Sequence, residues 1–339
     1  MHSKATVVVS DGGGAGGGVG GNGSVNQGGQ GAKEKEQGWN LDWNFAAHQG
    51  KRGEMEDIHR EMSFKDWNLF LICDGHGGRG IVDLVDKTFE KVVFHPIVND
   101  ILTNTHIKKK KWETMICQTI VGYDRYLHKK TEHDAKVQAS GCTLAAFLCN
   151  LKRKIAILIN VGDSRVSMLE TTTDKKSAKQ RFLIRETVDH KPGMPSEIKR
   201  IKLAKGFVSK DNRVNGCLAL SRALGDFALK KYRDHEYDPV RGAVCAVPDV
   251  AIINFAAAKK LDVIVACDGI WDVLTSEDIF SSYYYLTNAD DVDLDNSKSI
   301  AENIIAHAYS RGSTDNMSAY YLSLFPHSFP MHFICTNVI

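Results

Sequence analysis

The chain has 339 residues, 43% of them hydrophobic and 25% charged, with a formal net charge of +2. That is the composition of an ordinary soluble protein, long enough for one large domain or two medium ones. The near balance of charge gives no general pull toward nucleic acid or an anionic membrane, and no apolar run is long enough to span a bilayer.

Residues 1–38 are dominated by Gly with Asn, Gln and Ser, and close on Lys33-Glu34-Lys35-Glu36. Such a segment cannot bury enough apolar surface to offset its ordering entropy, so a disordered leader is expected. Order should begin near Trp39, with strand character through Phe45 to Gly50. Lys51 to Asp57 then packs cations and adjacent carboxylates into one short segment, which alone reads as a solvated turn.

The informative stretch is Phe70-Leu71-Ile72-Cys73-Asp74-Gly75-His76-Gly77-Gly78. Four apolar residues running into a carboxylate predict a strand buried on both faces with Asp74 at its mouth. The glycines free the backbone for a tight turn or a close ligand approach. The pattern recurs at Val263-Ile264-Val265-Ala266-Cys267-Asp268-Gly269, followed by Ile270-Trp271-Asp272. Two buried strands ending in carboxylates can bring Asp74 and Asp268 to one site. Paired carboxylates repel unless a cation lies between them, and hard divalent ions such as Mg²⁺ or Mn²⁺ suit oxygen ligands.

Between these units, apolar residues at helical spacing from Ile81 to Val93 predict an amphipathic helix that His95-Pro96 ends or kinks. Lys108 to Lys111 is a basic run at the start of a second helix, Trp112 to His133. Strands are expected at 140–148 and 154–161, joined as a hairpin, then from Arg165 to Leu169 and from Arg181 to Arg185. Consecutive strands with short turns indicate antiparallel sheet. A charged helix is expected from Ser196 to Ala204, strand material from Ala243 to Ile253, helices from Ser276 to Leu286 and from Ser299 to Tyr309, an acidic loop from Asn288 to Asn296, and a last strand from Met317 to Leu324. Arg222 and Asp226 read as a structural pair. Of the eight cysteines none sits in C-x-x-C spacing, and Cys73, Cys149 and Cys267 fall in apolar runs. They read as reduced structural thiols of a cytoplasmic or nuclear protein.

The blocks RGEMED at 52–57, FLICDGHGG at 70–78, SGCT at 140–143, NVGDSR at 160–165, DHKP at 189–192, LALSRALGD at 218–226, VPDV at 247–250, ACDGIWDVL at 266–274 and STDNMS at 313–318 occur in this order. In them the chain resembles the metal-dependent type 2C protein serine/threonine phosphatases, from about His48 to Leu324. The resemblance implies an α+β fold: a four-layer α/β/β/α sandwich of two mostly antiparallel sheets flanked by helices, with a dinuclear metal site at one edge. It divides the chain into a leader (1–38), a phosphatase domain (39–325) and a C-terminal tail (326–339). It implies two Mn²⁺ or Mg²⁺ ions bridged by Asp74. The same resemblance implies that the Gly75 carbonyl is a ligand of one ion and Asp268 and Asp315 are ligands of the other, that Glu56 and Asp57 hold metal-bound waters, and that Asp163 and Asp272 belong to a third, weaker position. Arg52 matches the phosphate-binding arginine and His76 the general acid. A hydroxide shared by the ions would attack phosphorus directly, with no phosphoenzyme. Residues Phe207 to Asn212 fall where the family has a variable flap beside the active site.

The expected partners are phosphorylated proteins, with no nucleic acid and no membrane, and the chain is expected to be a monomer. Two other readings stand beside the enzyme: a non-catalytic pseudophosphatase module, and a two-metal phosphoesterase acting on small phosphates. The retained acids at 57, 74, 268 and 315 argue against the first. Cleavage of a phosphopeptide separates the second.

Overall fold

The structure, a computed structural model, describes residues 38–103, 108–174, 180–232, 236–284 and 299–328, together with the backbone of Val7–Val9. The strands, in chain order, begin with β1 (Val7–Val9), β2 (Trp39–His48), β3 (Ile58–Phe64), β4 (Trp67–Cys73) and β5 (Gly75–His76). Next come β6 (Gly141–Cys142), β7 (Leu144–Asn150), β8 (Ile155–Val161), β9 (Arg165–Thr173) and β10 (Gln180–Glu186). The short β11 (Leu224–Gly225), β12 (Lys231–Tyr232) and β13 (Glu236–Tyr237) precede β14 (Asp249–Asn254), β15 (Lys260–Ala266) and β16 (Met317–Pro326). The helices are α1 (Gly80–Phe89), α2 (Lys109–Lys130), α3 (Ala135–Gln138), α4 (Pro195–Leu203), α5 (Asp268–Trp271), α6 (Ser276–Tyr284) and α7 (Ile300–Ser310).

Two large sheets form, in the orders β1-β2-β16-β15-β9-β10 and β14-β8-β7-β4-β3. Every pairing in them is antiparallel except the parallel contact of β1 with β2, which places three backbone residues of the expected leader at a sheet edge. The rest of the leader, the acidic loop at 288–296 and the tail beyond 328 lie outside the described residues.

The two-sided burial of β4 and β15 follows from the period of two along a strand. On β4, Leu69, Leu71 and Cys73 face α1 and α2, while Phe70 and Ile72 face the other sheet. On β15, Leu261, Val263 and Val265 face β4 across the same inter-sheet core, and Ile264 and Ala266 turn to α5, α6 and α7. Each such buried side chain contributes roughly 1.5–3 kcal/mol. The three cores are thus the three interfaces of a four-layer α/β/β/α sandwich. Because β4 and β15 face each other, their carboxyl ends deliver Asp74 and Asp268 to the same end of it.

Two local expectations are corrected. His95-Pro96 does not end the first helix. The chain stays helical to Leu102 through π-helical turns at Glu90–Phe94 and Ile97–Leu102, and the His95 N–H bonds back five residues to Glu90 O. The wider turns accommodate the proline ring, and burial of Ile97, Val98, Ile101 and Leu102 outweighs its missing donor. Residues 243–248 form no regular strand. All but Val247 are buried, but their backbone is satisfied irregularly, as when Val244 N–H donates to Leu229 O and Ala246 N–H to Pro239 O.

Arg222 does not pair with Asp226 either. Its guanidinium holds Glu197 of α4 at 2.8 Å and Asp249 of β14 at 3.0 Å, while Arg200 holds Glu197 at 2.8 Å from its own helix. Burial pushes the Glu197 carboxyl up, but the Arg222 hydrogen bond and the two guanidinium charges outweigh it and bring the pKa down to about 2 from 4.5. A lowered native pKa stabilises the fold above the ordinary carboxylate range and loses that contribution as pH falls toward the native value. Urea unfolding should therefore show about 2–3 kcal/mol of stability from this clamp lost between roughly pH 5 and pH 2. Glu197→Gln should remove that acid dependence and lower the neutral-pH stability by a similar amount.

Candidate active site

The site is assembled by backbone contacts among loops at strand ends. Gly50 has φ +66°, and a Cβ there would lie 2.0 Å from Asp315 O. Only glycine lets the 50–52 turn approach the 314–315 turn this closely, and Lys51 N–H donates to Thr314 O at 2.9 Å. A Cβ at Gly269 would likewise lie 2.0 Å from Asn316 O, and Ser313 Oγ donates to Gly269 O at 2.7 Å. The Asn316 side chain staples the loops: its amide donates to Gln49 O and Glu54 O, and its oxygen accepts from Glu56 N–H.

On that frame the acids converge. Asp74 ends β4, with its N–H donating to Thr143 Oγ1 and its carbonyl accepting from Thr143 N–H, both at 2.9 Å. Asp74 and Asp268 lie close enough that each carboxyl perturbs the other's ionisation. Burial first, and then the charges of Asp57, Asp268 and Asp163, push the Asp74 carboxyl well above its usual range. Burial and the charges of Asp163 and Asp272 raise Asp268 to about 7, against the opposing charge of Lys191. Asp57 is raised to about 6, by burial above all, although the Ser318 hydroxyl donates to Oδ2 at 2.7 Å. Its Oδ1 is buried without a partner, as is Oδ1 of Asp163.

The chain's own cations neutralise the remaining acids. Arg52 Nη2 lies 2.6 Å from Asp315 Oδ2 and also feels the charges of Asp268 and Asp74. Lys191 Nζ lies 2.7 Å from Asp163 and 3.5 Å from Asp272. Glu56 Oε1 accepts from Gly78 N–H at 3.0 Å. Among the described residues, no three His, Cys, Asp or Glu side chains stand as a ready-made coordination shell. Asp163, Asp272 and Asp315 are turned instead to a lysine or an arginine.

This donor set fits hard divalent ions. It consists of carboxylates, and it includes buried acceptor atoms without partners, Oδ1 of Asp57 and of Asp163. Thiols stand next to the acids but are committed to the core: Cys267 Sγ donates to Asn316 O and accepts from Ser318 N–H, and Cys73 is fully buried. An oxygen-only set favours Mn²⁺ or Mg²⁺ over zinc. The structure thus gathers Asp57, Asp74, Asp163, Asp268, Asp272 and Asp315, with Glu56 and Gly75 adjoining and Arg52 against Asp315. A groove of about 540 Å³ lined by Cys117, Val188, Pro248 and Asp249 contains none of these residues.

His76 has a partner of its own: its Nε2 lies 2.7 Å from Asp226 Oδ2. Burial pulls the imidazole pKa down, but Asp226 outweighs it and holds the pKa above its ordinary value. Sequence reasoning misses three members of the site: Asn316 and Lys191 carry no role in it, and Asp226 carries the wrong partner, Arg222. Each lies within a motif block, in STDNMS, DHKP and LALSRALGD, so the signal was there without the contacts that explain it.

The protein phosphatase 2C family model matches residues 41–317. The chain belongs to the protein phosphatase 2C family. Protein phosphatase 2C 1 of Paramecium tetraurelia is 34% identical over 250 residues, 69% of this chain and 75% of the relative. Human protein phosphatase 1A is 29% identical over 304 residues, 86% of this chain and 72% of the relative. A phosphatase from a pathogenic strain of Toxoplasma gondii has the same fold, with a TM-score of 0.64 at 20% identity, covering 86% of this chain and 94% of that one. By family membership the chain is a serine/threonine phosphatase of a metal-dependent family.

Repulsion among the acids makes a prediction for this phosphatase. Asp268→Asn removes one of the crowded charges. Without metal at pH 8, it should melt about 2–4 °C above the wild type, the shift expected for roughly 1 kcal/mol in a domain of this size. The same variant should lose most of the Mn²⁺-induced rise in melting temperature seen in the wild type.

Proposed function

We propose that the phosphatase hydrolyses phosphoserine and phosphothreonine in proteins by direct in-line attack on phosphorus, without a covalent intermediate. The observation that carries this reading is the convergence of Asp74 and Asp268 at the mouths of two facing strands, with Asp57, Asp163 and Asp272 close enough to perturb them. In this reading Asp74, the Gly75 carbonyl, Asp268 and Asp315 hold two Mn²⁺ or Mg²⁺ ions. Glu56 and Asp57 position the waters around them, and Asp163 and Asp272 serve a third, weaker position. When bound, the ions supply an activated water as the nucleophile, a shared hydroxide at neutral pH.

The chain's own residues do the rest. Arg52 is 60% exposed and reaches the site from its rim. With the acids neutralised, its fork of donors is free to grip two phosphate oxygens and align the group for attack. His76 donates the proton that the departing serine or threonine oxygen needs, worth typically 10²–10⁴ in rate. The exposed Phe207 and Lys210 lie on the flap segment, flanked by Lys205 and Arg213, and would contact the protein around the phosphorylated residue.

The direct test is phosphate release from a phosphothreonine peptide with and without Mn²⁺. EDTA should abolish turnover, and Asp74→Asn should lower kcat by about a thousandfold, the several kcal/mol expected for losing the carboxylate between two ions. Turnover that persists in EDTA would contradict the reading.

A further inference from the structure

The pairing of His76 with Asp226 is held by a second, buried layer of the structure. Asp226 has φ +49°, a left-handed conformation that costs a non-glycine residue about 1 kcal/mol unless its surroundings impose it. Here they do. The Asp226 N–H donates to Ser140 O at 3.0 Å. The preceding Gly225, at φ +81°, donates its N–H to Asp124 Oδ1 at 2.8 Å. Asp124 is completely buried on α2 and forms an ion pair of 2.7 Å with Lys230, which is also completely buried. Lys230 donates in addition to Ala223 O at 2.8 Å, and the Tyr237 hydroxyl donates to the other Asp124 oxygen at 2.6 Å. A fully buried ion pair persists only when its remaining donors and acceptors are satisfied. Two of the bonds that satisfy this one clamp the Ala223–Gly225 backbone, immediately before Asp226.

The opposite wall is equally specific. A Cβ at Gly141 would lie 2.1 Å from Asp226 Oδ2 and 2.7 Å from His76 Nε2. A side chain at 141 would therefore compete with the contact between the two. Among the described residues, the Asp226 carboxylate is the only hydrogen-bond partner of the His76 ring, and Nδ1 has none.

We propose that Asp226 is a positioning residue for His76: it accepts the Nε2–H, fixes the ring, and leaves Nδ1 as the atom that delivers the proton. The proposal rests on His76 acting as the general acid. As hydroxide forms its bond to phosphorus and the bond to the serine or threonine oxygen breaks, that oxygen takes the Nδ1 proton. His76 is left neutral with its Nε2–H still on Asp226. Hydroxide and proton together amount to one water consumed. The Asp124–Lys230 pair has no part in the proton transfer; it holds the turn that carries Asp226.

The leaving group distinguishes this role from a structural one. An alkoxide needs the proton, whereas p-nitrophenolate leaves readily without it. Asp226→Asn keeps the shape of the side chain, and Asn tolerates positive φ well. In the full-length chain with Mn²⁺, it should lower kcat at least about tenfold more on a phosphothreonine peptide than on p-nitrophenyl phosphate. The peptide KM and the Mn²⁺ concentration for half-activation should be unchanged. Gly141→Ala crowds the pair apart while keeping both side chains, and should show the same selectivity. In an Asp226→Asn/His76→Asn double variant the loss should match that of His76→Asn alone. Equal losses on both substrates, or additive losses in the double variant, overturn the proposal. If His76→Asn is selective for the peptide and Asp226→Asn is not, only the positioning role falls. If His76→Asn itself shows no selectivity, the general-acid reading beneath it falls.

Discussion

Carboxylates that repel one another are forced together at one end of the sandwich, and the rest of the site is arranged around that repulsion. The force behind it is the inter-sheet core. Phe70 and Ile72 of β4 and Val263 and Val265 of β15 share one buried layer, so Asp74 and Asp268, one residue beyond Cys73 and Cys267, cannot move apart without opening it. The Asn316 staple and the close approaches at Gly50 and Gly269 then bring Asp315 and the 54–57 segment to the same place. The electrostatic cost appears as raised pKa values at Asp57, Asp74 and Asp268. Arg52 and Lys191 offset part of it. A divalent cation would offset it further, which couples metal binding to stability.

The two cations have different futures in such a scheme. Lys191 is partly buried, and the charges of Asp163, Asp272 and Asp268 outweigh its burial and raise its pKa, which suits a fixed counter-charge. Arg52 is largely exposed, and among the described residues its guanidinium is anchored through Asp315 alone. Neutralising Asp315 would therefore free Arg52 far more readily than Lys191, and a guanidinium near bound metal is the group best shaped to take phosphate.

The legibility of all this in the sequence was uneven, for physical reasons. The ends of β4 and β15 were readable because a short apolar run into Asp-Gly has few structural meanings. The antiparallel sheets were readable from strand spacing, and the acids from the ordered motif blocks. The helix beyond Pro96 was not, since proline removes a donor locally while the burial that outweighs it is tertiary. The irregular 243–248 segment looked like a strand because it is apolar, yet its bonds go to three separate loops. Asp226 was assigned to Arg222, four residues away in sequence. Its real partner, His76, is brought to it by β5, β6 and β11, a three-stranded sheet of two-residue strands too short to leave a pattern.

The central claim is that this crowding of acids is a two-metal site. Crystals of the phosphatase grown with Mn²⁺, measured on either side of the manganese absorption edge, test it most directly. The account predicts two anomalous peaks about 3.5–4 Å apart, with the Asp74 carboxylate between them and Asp268 and Asp315 on one of them. A map with no peak among these acids, or with manganese bound where Asp74 and Asp268 do not reach it, would contradict it.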